Sequence, residues 1–187
     1  MLKINSFFRM IGRALLVLLF LLIVTVSIIF KVGDGFKDRL SVNGALEQAT
    51  VVRVVDGDTL WVEYEGQEKK VRLIGMDCPE LNSGNSDAAG GYGEAAADYT
   101  RSLVHPGQTI YLQKDVSEVD VYDRLLRYVW LSMPSDPDDE DEMREYMLNA
   151  RLILDGYAYA KKYAPDTKYS EIFSEFESEA MEEIGGL

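Results

Sequence analysis

A chain of 187 residues with 47% hydrophobic and 27% charged side chains is long enough for one well-cored domain, and it is neither collagen-like nor wholly disordered. Its formal net charge of -13 opposes long-range attraction of polyanions, so chemistry on phosphate would have to rely on local cations and metal. The single cysteine, Cys78, excludes an internal disulfide framework.

Residues 1–13 form a short basic N-terminus with Lys3, Arg9 and Arg13. From Ala14 to Phe30 the run ALLVLLFLLIVTVSIIF is uncharged, at the short end of the roughly 17–25 apolar residues that cross a bilayer as a helix. This predicts a transmembrane anchor over residues 14–32. The flanking charges direct the N-terminus to the cytoplasm and the rest outside, the pattern of a single-pass cell-membrane protein. A cleaved signal peptide, leaving a secreted protein, is the competing reading, but bulky Ile28, Ile29 and Phe30 follow Ser27 where a small-x-small site would be needed. A buried core helix is a third reading, and so uniform a run fits it less well. Residues 1–37 carry a net of +4, which leaves -17 for the remainder.

Residues 33–48, with Gly33, Gly35 and Asn43-Gly44, read as a linker, and the domain is expected over 49–187. Thr50–Val55, Thr59–Tyr64 and Lys69–Ile74 are predicted strands of a β-meander, with turns at Asp56-Gly57 and Glu65-Gly66. A glycine-rich loop, Asn82 to Gly93, leads to a predicted helix over Glu94–Val104 with Ala96, Tyr99 and Leu103 on one face. His105-Pro106-Gly107 stops it, and Thr109–Gln113 and Leu125–Leu131 supply two more strands. The acidic run SDPDDEDE, Ser135 to Glu142, reads as a solvated loop without the EF-hand pattern. Helices are predicted over Met143–Leu154 and Tyr169–Ile184, the latter with Tyr169, Ile172, Phe173, Phe176 and Ala180 on its core face. Five strands and three helices fit an α+β fold built on a five-stranded OB-type β-barrel, here preceded by the transmembrane helix.

The acidic residues of the meander exceed what its turns need. In VVDGDTLWVEY, Asp56 suffices for the turn, yet Asp58 follows where a strand should start. Asp77, in VRLIGMDCPE, ends the third strand, which can return beside the start of the second. Two carboxylates meeting there would repel unless they share a cation. Oxygen ligands completed by carbonyls and water suit a hard ion such as Ca²⁺ or Mg²⁺.

Three stretches, VVDGDTLWVEYEGQEKKVRLIGMDCPE, YGEAAADYTRSLV and DVYDRLLRYVWL, together resemble the staphylococcal nuclease or thermonuclease family of calcium-dependent phosphodiesterases, over roughly Thr50 to Ile184. The resemblance implies that Asp58 and Asp77 are direct Ca²⁺ ligands, with the main-chain carbonyl of Cys78 as a third and Asp56 acting through water. By the same match Glu80 activates the attacking water, Arg72 and Arg124 grip the scissile phosphate, and Tyr122 and Tyr163 lie beside the bound nucleotide. Asp123 stands where the family usually has glycine, and Val121 replaces a frequent lysine. Both departures lower local positive charge and bear on substrate affinity more than on chemistry.

Phosphodiester hydrolysis makes the same demand independently. Negative charge builds on the equatorial oxygens, and a divalent cation with two guanidiniums is a preorganised way to stabilise it. Arginine donates a planar fork of hydrogen bonds and stays charged, and a carboxylate such as Glu80 can serve the attacking water as base. Individually these residues read as a turn, a solvated strand arginine and, for Arg124 beside Asp123, a surface ion pair. Together and in order they favour a membrane-anchored, extracytoplasmic, Ca²⁺-dependent endonuclease acting on DNA and/or RNA, and the family resemblance implies products with 3′-phosphate ends. A non-catalytic OB-fold nucleic-acid-binding module is the alternative, and the chain's acidity counts against it. An envelope protein with a purely structural metal is a third reading. His105 reads as a loop residue, and the Cys78 side chain is given no role.

Overall fold

Leu60, Val62, Val71 and Leu73 alternate with outward-facing residues along consecutive strands, and all four are buried, which is the period-2 pattern of a sheet with one face on a core. The computed structural model describes residues 46–79 and 89–185, and before them residue 25 alone. The expected membrane segment from Ala14 to Phe30, Thr25 apart, therefore lies outside the described residues, as does Glu80. Among the described residues no helix is long and apolar enough to cross a membrane.

The strands are β1 (Leu46–Asp56), β2 (Thr59–Tyr64), β3 (Gln67–Leu73), β4 (Met76–Asp77), β5 (Thr109–Gln113), β6 (Leu125–Trp130) and β7 (Tyr159–Ala160). Five of them close a barrel in the order β1-β2-β3-β6-β5. Every pairing in it is antiparallel except β3 with β6, which runs parallel from Val71↔Leu125 to Leu73↔Arg127. This is the five-stranded barrel expected of an α+β, OB-type fold. The first strand starts at Leu46, ahead of the expected Thr50, because residues 46–50 pair with β5. The two-residue β4 and β7, unforeseen from the sequence, pair as a separate small sheet through Met76↔Ala160 and Asp77↔Tyr159.

Four helices accompany the barrel in the described part: α1 (Ala89–Leu103), α2 (Glu140–Tyr146), α3 (Leu148–Leu154) and α4 (Ser170–Gly185). The first begins at Ala89, so Gly91 and Gly93 of the expected loop are helical, and it buries Ala96, Ala97 and Thr100. The single helix expected over Met143–Leu154 is two, broken at Met147 with φ -88° and ψ 116°. Met147 makes a bridge with Trp130 of the barrel: the Leu131 amide donates to the Tyr146 carbonyl at 2.8 Å, a carbonyl that an unbroken helix would use in its own ladder. On α4, Tyr169, Phe173, Phe176 and Ala180 are buried as the periodicity predicts. The acidic run is only partly a loop: Asp139 caps α2 by accepting from the Glu142 amide, and Glu140, Asp141 and Glu142 occupy the first turn, where the helix dipole favours negative charge.

Candidate active site

The site begins at the β1–β2 turn. Asp56 pairs with Thr59, so Gly57 and Asp58 are the two turn residues. Neither has positive φ, unlike Glu65 and Gly66 of the next hairpin, at 52° and 74°, which adopt the backbone a two-residue type I′ turn requires. Gly57 is needed for space: a Cβ there would lie 2.7 Å from Cys78 Sγ and 2.9 Å from Ala96 Cβ. Thr100 Oγ1 of α1 donates to the Gly57 carbonyl at 2.8 Å, so the helix clamps the turn from behind. The Asp58 amide donates to Asp56 Oδ1 at 3.2 Å, an Asx turn.

Asp58 is a carboxylate only 3% exposed. Its Oδ1 accepts from Thr59 Oγ1 at 3.0 Å and its Oδ2 from the Cys78 amide at 3.2 Å. Leu73 N donates to the Asp58 carbonyl at 2.9 Å, so the end of β3 returns beside the start of β2 as the meander requires. Burial pushes the Asp58 carboxyl up to about 7, with Arg72 opposing and neighbouring Asp56 adding to the rise.

One guanidinium spans the two carboxylates. Arg72 pairs through Nη1 with Asp58 Oδ1 and through Nη2 with Asp77 Oδ1 at 2.5 Å. Burial works against its charge, but Asp58 and Asp77 outweigh burial and hold Arg72 firmly cationic. The other Asp77 oxygen accepts from Lys161 Nζ at 2.7 Å. The Lys161 amide donates to the Gly75 carbonyl at 2.9 Å, extending the β4–β7 pairing that brings Lys161 to this position.

Across from Arg72, a five-residue turn presents Arg124. Asp120 Oδ1 accepts from the amides of Tyr122 and Arg124 at 2.9 and 3.0 Å, while its Oδ2 accepts from Arg124 Nε at 2.7 Å and Nη2 at 2.6 Å. Burial alone would raise the Asp120 carboxyl, yet these amide and guanidinium donors leave it below its usual range. Asp123 closes the turn with φ 60° and an amide donating to the Asp120 carbonyl at 3.1 Å. Aspartate is among the few non-glycine residues that tolerate this left-handed backbone, which makes it a workable stand-in for glycine at this position. The Arg124 guanidinium lies 5.4 Å from the Tyr122 ring centroid.

Arg72, Asp77, Asp120, Tyr122, Arg124 and Tyr163 line one open cleft of about 670 Å³. Its outer wall is tied together by Asp166, which accepts from the amides of Val116 and Ser117 at 2.9 and 2.7 Å. The structure thus brings together Asp56, Asp58, Arg72, Asp77 and Cys78 at the barrel rim, with Arg124, Tyr122 and Tyr163 across the cleft. Asp120 and Lys161 were not singled out from the sequence. Asp120 is legible in hindsight as an Asx-turn former two residues before Tyr122, whereas Lys161 carries no local signal. Among the described residues no three Asp, Glu, His or Cys side chains converge to hold a metal. The two carboxylates at the rim, Asp58 and Asp77, are nonetheless oxygen donors of the kind that suit a hard divalent cation whose remaining ligands are carbonyl oxygens and water.

A closed five-stranded barrel with a carboxylate–arginine rim, sharing its cleft with a second arginine, defines an OB-type α+β protein. Residues 70–187 match the family model described as staphylococcal nuclease homologue. The chain is 36% identical over 165 residues to a thermonuclease of Staphylococcus intermedius, covering 87% of this chain and 90% of that one. To a thermonuclease of Staphylococcus hyicus it is 34% identical over 160 residues, 85% of this chain and 86% of that one. It is also 35% identical over 136 residues to the endonuclease YncB of Bacillus subtilis, 72% of this chain and 58% of that one. The chain belongs to the staphylococcal nuclease family.

Proposed function

We propose that this chain is a membrane-anchored, extracytoplasmic, Ca²⁺-dependent endonuclease that leaves 3′-phosphate ends. That it is a nuclease hydrolysing the phosphodiester bonds of nucleic acid follows from its family. The catalytic part of this reading rests on one observation: Arg72 and Arg124 line a single cleft whose rim carries the carboxylates Asp58 and Asp77, both paired with Arg72.

In this reading Arg72 and Arg124 donate to the equatorial oxygens of the scissile phosphate and neutralise the charge that builds there. Asp58, Asp77 and the Cys78 carbonyl would hold the cation, with Asp56 acting through water; bound Ca²⁺ would supply further charge neutralisation at the phosphoryl oxygen. Glu80 takes the proton of the attacking water, and attack opposite the 5′-oxygen leaves the phosphate on the 3′ side. Tyr122 and Tyr163, both exposed on the cleft rim, lie beside the nucleotide. The uncharged run from Ala14 to Phe30 with its basic flank supports the anchor and the outside placement of the domain.

The test incubates the full chain with single-stranded DNA and RNA in Ca²⁺, in Mg²⁺ and in chelator, and treats the products with a 3′-phosphatase. Ca²⁺-only cleavage to phosphatase-sensitive ends is expected. Binding without cleavage would instead support the non-catalytic module. Protease treatment of intact cells should remove the domain and spare the N-terminus; protection of the domain would overturn its placement.

A further inference from the structure

The outer face of the β1–β2–β3 meander carries a feature that the cleft does not use. Arg53 of β1, Trp61 of β2 and Lys70 of β3 occupy one cross-strand row, with Arg53↔Trp61 and Trp61↔Lys70 in register. The two cations sit over the indole, Arg53 Cζ at 5.5 Å and Lys70 Nζ at 5.3 Å from its centroid. Leu60, Val62, Val71 and Leu73 point into the barrel, so Trp61 and Lys70 share the outer face with Arg72. Thr59↔Arg72 is the next row of that face, roughly 7 Å along the strands.

Charge sets this row apart. In a body that carries -17, Arg72, Arg124, Arg127, Arg144 and Lys161 are all engaged by carboxylates. Among the described residues the cations without an ion pair are Arg53, Lys69, Lys70 and Lys162, three of the four on this meander, and Arg53 and Lys70 are exposed. Trp61 is half-buried, and its Nε1, covered from solvent, has no hydrogen-bond partner among the described residues. Cation–aromatic contacts at exposed sites are weak, so either cation can leave the ring for a phosphate and free an indole face for a base.

We propose that Arg53, Trp61 and Lys70 form an accessory subsite for single-stranded nucleic acid, gripping the part of the strand that continues past the phosphate at Arg72. This rests on the nuclease reading for the orientation of the substrate. An unpaired base is required because stacking needs its face. The subsite also answers the problem of net charge: an acidic protein can hold a polyanion where unpaired cations are gathered beside the reaction centre.

The test measures binding of the full chain, in chelator, to a fluorescein-labelled oligothymidylate of about 20 nucleotides as salt is varied. Losing two phosphate contacts in Arg53→Gln/Lys70→Gln should lower the salt slope by about 1.4, with affinity down about tenfold at low salt. Trp61→Ala should cost roughly tenfold and Trp61→Phe much less, since stacking tolerates any aromatic face. In Ca²⁺, the advantage in kcat/KM of the long oligonucleotide over a trinucleotide should shrink about tenfold in the double variant. Unchanged affinity and slope in folded variants, or equal losses on long and short substrates, would overturn the subsite. Wild type that binds with the expected slope but never cleaves would sink the nuclease reading and leave the subsite standing.

Discussion

The two arginines of the cleft are held in opposite ways. Arg72 is fixed by two carboxylates, Asp58 and Asp77, that are themselves the proposed cation ligands, so the guanidinium and a bound cation compete for the same oxygens. Arg124 is fixed by Asp120, whose Oδ1 is spent on backbone amides and whose Oδ2 takes the guanidinium. The difference teaches that one wall of the cleft is held by the proposed cation ligands, so that it would respond to cation, while the other is preformed. Occupation of Asp58 and Asp77 would release Arg72 toward phosphate, while Arg124 stands ready in either state.

Removing either guanidinium is the hardest blow to that comparison. Arg72→Ala and Arg124→Ala should each lower turnover by about 10³-fold, the scale of losing a preorganised donor. Only the first should also lower the melting temperature, because it leaves buried Asp58 without its counter-ion; equal melting losses in both would erase the distinction. Asp120→Ala comes next, with about 1–2 kcal/mol of stability lost from unsatisfied amides and turnover reduced as Arg124 loosens. A Ca²⁺ affinity unchanged in that variant would confirm that the two walls are independent.

Acid–base behaviour offers a gentler probe of the Arg72 side. In the metal-free protein the Asp58 carboxyl is raised by burial to about 7, above its value in the unfolded chain. The fold then binds the extra proton, so this group's contribution is present in full at low pH and is lost as pH rises toward 7. Chelated wild type should therefore lose stability between about pH 4 and 7 relative to Asp58→Asn, whose curve should be flatter there. A curve no steeper than the variant's would mean that Asp58 stays ionised on Arg72 throughout. The smallest effect concerns the Arg124 side: Asp123→Gly, at φ 60°, should gain up to about 1 kcal/mol by relieving left-handed backbone. It should also lower KM modestly by removing a negative charge near the cleft, as titration of rate against substrate would reveal.

The barrel and most of its rim were legible because their signals are local. Asp58, Arg72 and Asp77 sit at a hairpin turn and at strand ends, where alternation and turn residues mark position, and the β3 return that joins them is a property of any meander. Lys161 was not legible: it reaches Asp77 through the pairing of two-residue strands remote in sequence, too short for any periodicity. The break at Met147 escaped for the same reason, since its cause is a bridge to Trp130 and the local pattern is helical. In the sequence Gly57 looks like turn chemistry, yet its backbone φ is not positive and its role is the close packing of Cys78 and Ala96. Glu80 and the apolar N-terminal run, Thr25 apart, lie outside the described residues.

Cleavage of single-stranded DNA and RNA by the full chain, in Ca²⁺ and in chelator, beside Arg124→Ala, tests the central claim most directly. The account predicts cutting in Ca²⁺ alone, reduced by about 10³-fold in a variant that melts like wild type. Equal cutting in chelator, or a folded protein that binds Ca²⁺ and cuts neither polymer, would contradict it.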